Sequence, residues 1–296
     1  MAQSFSFLPD GATASRPSKK KKTVLITGAA GNIGSYFAEH AADRYKLILM
    51  EREGEDVTHI EKYGKVLFGD VRRLDFMQKA CCDIDTVVHL AAGPDPSIDW
   101  EVVRDINIGG TYNTMVAAKA NGVRRVIFAS SIHAVSGYPD DYQVHTEEPV
   151  NPGDLYGVSK CFGEALGRYM AEQEGLSVIC LRIGAFQSRR SAGKGSAVGQ
   201  MFDAWVSQRD LHQLIVKCID DTRLKFAIFH GLSDNRFKRL DITDARELVG
   251  YAPQDDFTEV NPRVKDLKLS RTVAGHNLQD GQQSGIRKEL KRLKQK

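Results

Sequence analysis

The chain is short of the residues that mark several protein classes. Its 296 residues hold five cysteines (Cys81, Cys82, Cys161, Cys180, Cys218), an odd count with no CxxC pair. That speaks against a disulfide framework and a zinc ribbon. No metal site is expected, the five thiols are read as packing residues, and the reducing cytoplasm is the expected compartment. With nine prolines and 26 glycines the chain is neither collagenous nor wholly low-complexity. No apolar run approaches the ~18–20 residues of a membrane helix. The opening MAQSFSFLPDGATASRPSKKKK has no apolar stretch of the secretory kind.

What is present is an ordinary globular composition, 42% hydrophobic and 27% charged, ample for a full core. One α/β domain of this length is common. The net charge of +3 is unevenly placed: residues 1–22 carry +4 and residues 262–296 carry +7, leaving −8 on residues 23–261. An acidic body argues against nucleic acid as a partner. Residues 1–22 read as a disordered basic arm with Lys19 to Lys22 solvated. The basic tail, 262–296, ends in GIRKELKRLKQK, a helix with too few apolar positions for a membrane face.

Between the ends, short apolar runs alternate with helical stretches. TVLITG (23–28), KLILM (46–50), KVLFG (65–69), TVVHLAA (86–92), RRVIFASS (124–131) and LSVICLRIG (176–184) read as strands. Helices are expected over 31–45, 73–82, 99–120 and 154–175. This alternation predicts an α/β fold, a Rossmann-type doubly wound parallel sheet with helices on both faces. Residues 23–184 form its dinucleotide-binding core. Beyond Ile183 the order weakens: 186–199 reads as a loop, 200–220 as a helix, LKFAIFHG (224–231) as a strand and 242–251 as a short helix. The segment 185–261 is expected to be a small substrate-binding cap on the strand C-termini, where open α/β sheets bind ligands.

TGAAGNIG places Gly28, Gly31 and Gly34 after the first strand and at the opening of a helix. Glycines there allow a tight turn, backbone approach to a pyrophosphate and close helix–strand packing, and the helix beginning at Asn32 and Ile33 turns its N–H groups to the anion. A second strand follows, the context that makes a dinucleotide fingerprint. Glu51, just past that strand, is suited to the adenosine ribose hydroxyls and repels a 2′-phosphate, which favours NAD. Arg52 beside it leaves NADP open. Asp70, after the third strand, reads either as a contact to the adenine amine or as a turn residue after Gly69.

YGVSK sets Tyr156 and Lys160 at i and i+4 on one helix face. An ammonium there is expected to stabilise phenolate and lower the tyrosine pKa, so that Tyr156 takes a proton from an alcohol as hydride leaves to a nicotinamide. Ser131, at the end of the fifth strand, is placed to orient the hydroxyl, with Ser130 as the alternative.

The combination resembles the extended short-chain dehydrogenase/reductases, the NAD-dependent epimerase/dehydratase family, over about residues 23–255. The matching motifs are TGxxGxxG at 27–34, Asp70-Val71, HLAA at 89–92, Asn107 in NIGGT, FASS at 128–131, YxxxK at 156–160 and RIG at 182–184. The resemblance implies a nicotinamide cofactor held by the glycine loop, Glu51, Asp70, Val71, Leu90, Ala91, Ala92, Tyr156 and Lys160. It implies Tyr156 as general base or acid, Lys160 as ribose ligand, Ser131 as hydroxyl clamp and Asn107 as a residue fixing the neighbouring helix or a water. Within the family, FASSxH, LYGVSKCFGE and RIG followed by Trp205 are similar to uronate dehydrogenases and related NAD-dependent sugar dehydrogenases.

That similarity implies His133 as a substrate contact and a homodimer formed through 99–120 and 154–175. Three positions depart from it. Ile132 stands where uronate dehydrogenases carry Asn, Ala185 where they carry Ser, and their carboxylate-binding Arg falls near Gln200. Losing a buried partner costs ~1–3 kcal/mol each, so the same substrate in the same pose is not expected. Arg189 and Arg190, with Lys194, are expected to offer a replacement anion site. The expected function is NAD-dependent oxidation of a sugar hydroxyl, on an aldose, uronate or sugar phosphate, at C1 to a lactone. A sugar-nucleotide epimerase and a non-catalytic nucleotide-sensing protein stand as alternatives.

Overall fold

Val24, Leu25, Ile26, Val87, Val88, Val126 and Val178 have no solvent exposure. Strands apolar on both faces demand cover on both faces, and the chain supplies it. The computed structural model describes residues 4–9, 21–194, 202–266 and 285–295. Its strands are β1 (Phe5–Phe7), β2 (Thr23–Thr27), β3 (Lys46–Glu51), β4 (Lys65–Phe68), β5 (Thr86–His89), β6 (Arg125–Ser131), β7 (Ser177–Ile183), β8 (Ala185–Gln187), β9 (Trp205–Ser207) and β10 (Leu224–Gly231). Its helices are α1 (Asn32–Ala41), α2 (Leu74–Ala80), α3 (Trp100–Val102), α4 (Thr111–Ala120), α5 (Leu155–Glu172), α6 (Arg189–Lys194), α7 (Gln208–Asp220), α8 (Thr243–Val249), α9 (Phe257–Val260) and α10 (Gly285–Lys294).

Eight strands form one sheet in the order β1-β10-β7-β6-β5-β2-β3-β4. All neighbours are parallel except β1 and β10. Alternate residues feed two cores: Val24, Ile26 and Ile127 pack with Phe37 of α1 and Leu211 of α7. Leu25, Val126 and Phe128 pack with Met77 of α2, Met115 of α4 and Met170 of α5. The strand order reverses between β2 and β5. There the crevice opens at the strand C-termini, with Thr27 in register with Met50 on one side and His89 on the other.

Five expectations are corrected. Phe5–Phe7, inside the stretch read as a disordered arm, pair antiparallel with the edge strand β10. The Ser4 carbonyl accepts from Ile228 N–H at 3.0 Å, and Ser6 donates to Glu172. The helix expected over 99–120 is broken: α3 and α4 are joined by a π-helical stretch, Val103–Gly110. Within 200–220 the described residues begin not with a helix but with a turn and β9, which pairs with β8, and α7 starts only where Ser207 caps it through Asp210 N–H at 3.2 Å. The stretch read as a loop holds β8 and α6, and 195–199 lies outside the described residues. A small third core of Ala192, Phe202, Trp205, Phe257 and Val264 sits under this part of the chain. Within 185–261, β10 joins the main sheet and α7 packs on its face. Cys82 also departs from its reading as a packing residue: it is exposed, whereas Cys81, Cys180 and Cys218 are buried.

Candidate active site

The glycine loop turns at Gly28, whose φ is +69°. A Cβ there would stand 3.0 Å from Ala91 N, and one at Gly34 would stand 2.5 Å from the Gly28 carbonyl oxygen. Only glycine lets α1 begin this close to β2 and β5. Gly31 caps α1 without a side-chain bond, so the first-turn N–H groups face a cleft lined by the loop, Asn32, Ile33, Glu51, Asp70, Val71, Leu90, Ala91 and Ala92. Every cofactor-lining position expected from the glycine loop and the first four strands thus comes to one cleft. These residues fit a dinucleotide.

Glu51 accepts from Ala30 N–H at 3.1 Å and from Arg52 N–H at 3.0 Å, one on each carboxylate oxygen. Two fixed donors hold the carboxylate at the mouth of the cleft. The Arg52 guanidinium is turned to Glu55 at 2.6 Å. Asp70 lies at the cleft, but its oxygens already take three bonds from Arg72, at 2.9, 2.8 and 2.5 Å. Those bonds hold its carboxyl below the usual range.

At the other end of the cleft a cavity gathers Ser131, His133, Tyr156 and Lys160, walled by Pro94, Ile132, Ile183, Gly184 and Ala185. Tyr156 and Lys160 arrive on α5, which glycine lets approach the turn after β6 closely: a Cβ at Gly157 would stand 2.2 Å from the His133 carbonyl oxygen. Lys160 Nζ donates to the Ala129 carbonyl at 2.7 Å and lies 5.3 Å from the Tyr156 ring centre. Ser131 Oγ accepts from His133 N–H at 3.2 Å. Ser130 donates to Glu164 at 2.6 Å, which removes its hydroxyl from the role considered for it.

The electrostatics correct one expectation. Burial pushes the Tyr156 phenol up to about 12, with the Ser131 hydroxyl pulling it down and the Asp154 charge adding to the rise. Burial pushes Lys160 down to about 7. In the chain's own field, desolvation outweighs any help the ammonium gives the phenolate.

Asn107 lies on the π-helical stretch. Its Oδ1 accepts from Gly93 N–H at 2.8 Å, and its Nδ2 donates to the Gly93 carbonyl at 3.2 Å and to Ser159 Oγ at 3.1 Å. This side chain staples the strand end to α5. The anion site expected at Arg189 and Arg190 does not form at this cavity. Arg189 is paired with buried Asp255, which also takes Arg209 at 2.7 and 2.6 Å, and Arg190 is exposed. Gln200 lies outside the described residues.

Three features of the site escape the sequence. His89 is buried and pushed down to about 3 by burial, so it is neutral; it bonds with Thr27 at 2.8 Å and Thr111 at 3.3 Å. Glu164 of α5 holds Arg182 of β7 by two bonds of 2.9 Å. Asp154 Oδ2 accepts from His133 Nδ1–H at 2.5 Å. The sequence shows an Asp two residues before Tyr156, with only helix capping to suggest its use.

The family model described as "NAD dependent epimerase/dehydratase family" matches residues 24–223. The chain belongs to that family. The NAD-dependent glucose-6-phosphate dehydrogenase of Haloferax volcanii is 36% identical over 251 residues, 80% of this chain and 94% of that protein. The L-arabinose 1-dehydrogenase (NAD(P)(+)) of the same organism is 34% identical over 80% of this chain and 98% of its own length. Among solved structures, the uronate dehydrogenase of Agrobacterium tumefaciens superposes with a TM-score of 0.74 and 27% identity, covering 83% of this chain and 90% of that one. The family member described here thus shares nearly the whole length of sugar dehydrogenases, which makes the epimerase alternative the weaker one.

Proposed function

We propose that this chain is an NAD-dependent sugar dehydrogenase that oxidises the anomeric hydroxyl of an aldose, uronate or sugar phosphate to the lactone. The observation that carries it is the meeting of Ser131, Tyr156 and Lys160 in one cavity that opens into the glycine-loop cleft. Ser131 and Tyr156 receive the reacting hydroxyl, and Tyr156 Oη takes its proton. When bound, NAD supplies the hydride-accepting ring and a positive charge. The Ser131 hydroxyl stabilises the phenolate, and Lys160 in its charged form adds to this from one helical turn away. Glu51 takes the ribose hydroxyls and disfavours a 2′-phosphate. His133 faces the sugar, and the apolar wall of Ile132, Ile183 and Ala185 excludes water. The cofactor preference is read as NAD, with NADP a weaker substitute.

The test is product analysis. Purified protein with NAD and, separately, glucose 6-phosphate, L-arabinose and glucuronate should give NADH and a lactone detectable by NMR. A C4 epimer without NADH would replace this reading by the epimerase one.

The reading extends to a homodimer through the exposed apolar faces of α4 and α5, supported by Tyr112, Val158 and Tyr169, each close to half exposed. Sedimentation of Tyr169→Asp as a monomer would bear this out; an unchanged dimer would remove that interface. The cytoplasm is the proposed location, supported by five free cysteines. Among the described residues no helix is long and apolar enough to cross a membrane.

A further inference from the structure

Asp154 carries more contacts than a helix cap needs. Its side chain has no solvent exposure, whereas that of His133 is 21% exposed. Oδ1 accepts from Gly157 N–H at 2.7 Å and caps α5. That single bond is what a capping residue supplies. Oδ2 is spent on His133 Nδ1–H at 2.5 Å. The imidazole stands edge-on to Tyr156, ring centres 5.5 Å apart, and its own backbone N–H donates to Ser131 Oγ. His133 lines the cavity together with Ser131 and Tyr156. With the proton on Nδ1, the lone pair is on Nε2, and among the described residues Nε2 has no hydrogen-bond partner. A buried carboxylate behind an imidazole fixes both its tautomer and its ring plane.

We propose that Asp154 is a positioning residue for the sugar: it holds the His133 imidazole as the Nδ1–H tautomer, so that Nε2 accepts from the substrate hydroxyl next to the one Tyr156 deprotonates. Because Asp154 also caps the helix that carries Tyr156, imidazole and phenol are set by one carboxylate. Two adjacent hydroxyls are then read at two fixed points. For oxidation at C1 the second is the C2 hydroxyl, so the site selects a sugar with a free hydroxyl there over its 2-deoxy analogue. This rests on the dehydrogenase reading above.

The test uses Asp154→Ser, which keeps a good helix cap but cannot reach the imidazole, and His133→Gln. First, 15N NMR of the labelled protein should show His133 protonated at Nδ1 and bare at Nε2, with that preference lost in Asp154→Ser. A proton on Nε2 in the wild type overturns the proposal whatever the enzyme turns over. Second, kcat/KM is compared for the accepted sugar and its 2-deoxy analogue, for instance glucose 6-phosphate and 2-deoxyglucose 6-phosphate. A wild-type preference of about tenfold, the size of one lost hydrogen bond to a well-placed group, should fall to near one in Asp154→Ser. The loss should appear mainly as a higher KM for the parent sugar. The double variant should match His133→Gln alone, since Asp154 acts through the imidazole. Equal losses on both sugars in Asp154→Ser, or additive losses in the double variant, overturn the proposal and leave a cap only. If Asp154→Ser does not fold, a His133→Gln variant that keeps the wild-type preference overturns it equally. Silence of the wild type on every sugar refutes the dehydrogenase reading itself, and the sugar role of Asp154 with it.

Discussion

In the proposed function cofactor choice turns on Glu51, and its geometry allows the effect of Glu51→Gln to be worked out. The carboxylate is clamped by Ala30 N–H and Arg52 N–H, and Arg52, a neighbouring cation that would favour a 2′-phosphate, is engaged by Glu55. Two unit charges at roughly 4 Å interact by about 4 kcal/mol at the effective dielectric of a protein surface. Salt and solvent at the open cleft reduce this to about 2 kcal/mol, a factor of about thirty against NADP. On the NAD side, replacing a charged acceptor for the ribose hydroxyls by a neutral one costs about 1.5 kcal/mol, or roughly tenfold.

The amide also weakens the hold on Ala30, which loosens the glycine loop for both cofactors alike. The ratio of kcat/KM for NAD over NADP cancels that shared effect and is the quantity to measure. It should fall by about two to three orders of magnitude in Glu51→Gln. A ratio within threefold of the wild type would refute the assignment of Glu51 to the ribose and move selectivity to the Arg52 side of the cleft.

Further outcomes follow from the buried site. Lys160, with a folded pKa of about 7 against the usual 10.5, binds fewer protons folded than unfolded between those values, so its burial penalty is fully present below pH 7 and is relieved as pH rises toward 10. Lys160→Met should therefore abolish turnover yet raise the urea midpoint at pH 7, with a smaller gain at pH 9.5; a lower midpoint at pH 7 would contradict the desolvation argument. Tyr156, raised to about 12, contributes the opposite slope, with stability lost between pH 10 and 12, and Tyr156→Phe should flatten the urea midpoint over that range. Gly157→Ala places a methyl 2.2 Å from the His133 carbonyl oxygen. It should cost about 1–3 kcal/mol of stability and most of kcat, read by denaturant melts and NADH formation; a wild-type kcat would show that α5 has room to move.

The parallel sheet was legible because its strands are apolar on both faces, as Val24 to Ile26 and Val87 to Val88 illustrate, and the glycine loop because its spacing follows a strand and opens a helix. Tyr156, Lys160 and Ser131 were legible as a set for the same reason: helix period and strand end place them without tertiary knowledge. What stayed hidden depends on contacts distant in sequence. Phe5–Phe7 is too short a run to read as a strand, and its partner, β10, lies more than 200 residues on. The π-helical stretch has an ordinary helical sequence; its form comes with the Asn107 bonds to Gly93 and Ser159. Arg189 looked like a free cation because nothing local shows that Asp255 comes to meet it. The pKa of Tyr156 was read from Lys160 one turn away, while burial, which decides it, is a property of the fold.

The most direct test of the central claim is NADH formation by the wild type and by Tyr156→Phe, with NAD and each sugar of the panel, alongside NAD affinity measured by protein fluorescence. The wild type should turn over at least one sugar, and Tyr156→Phe should bind NAD as the wild type does while losing at least a hundredfold in kcat. A Tyr156→Phe enzyme with wild-type turnover would contradict proton transfer at this phenol and, with it, the assignment of the cavity as the active site.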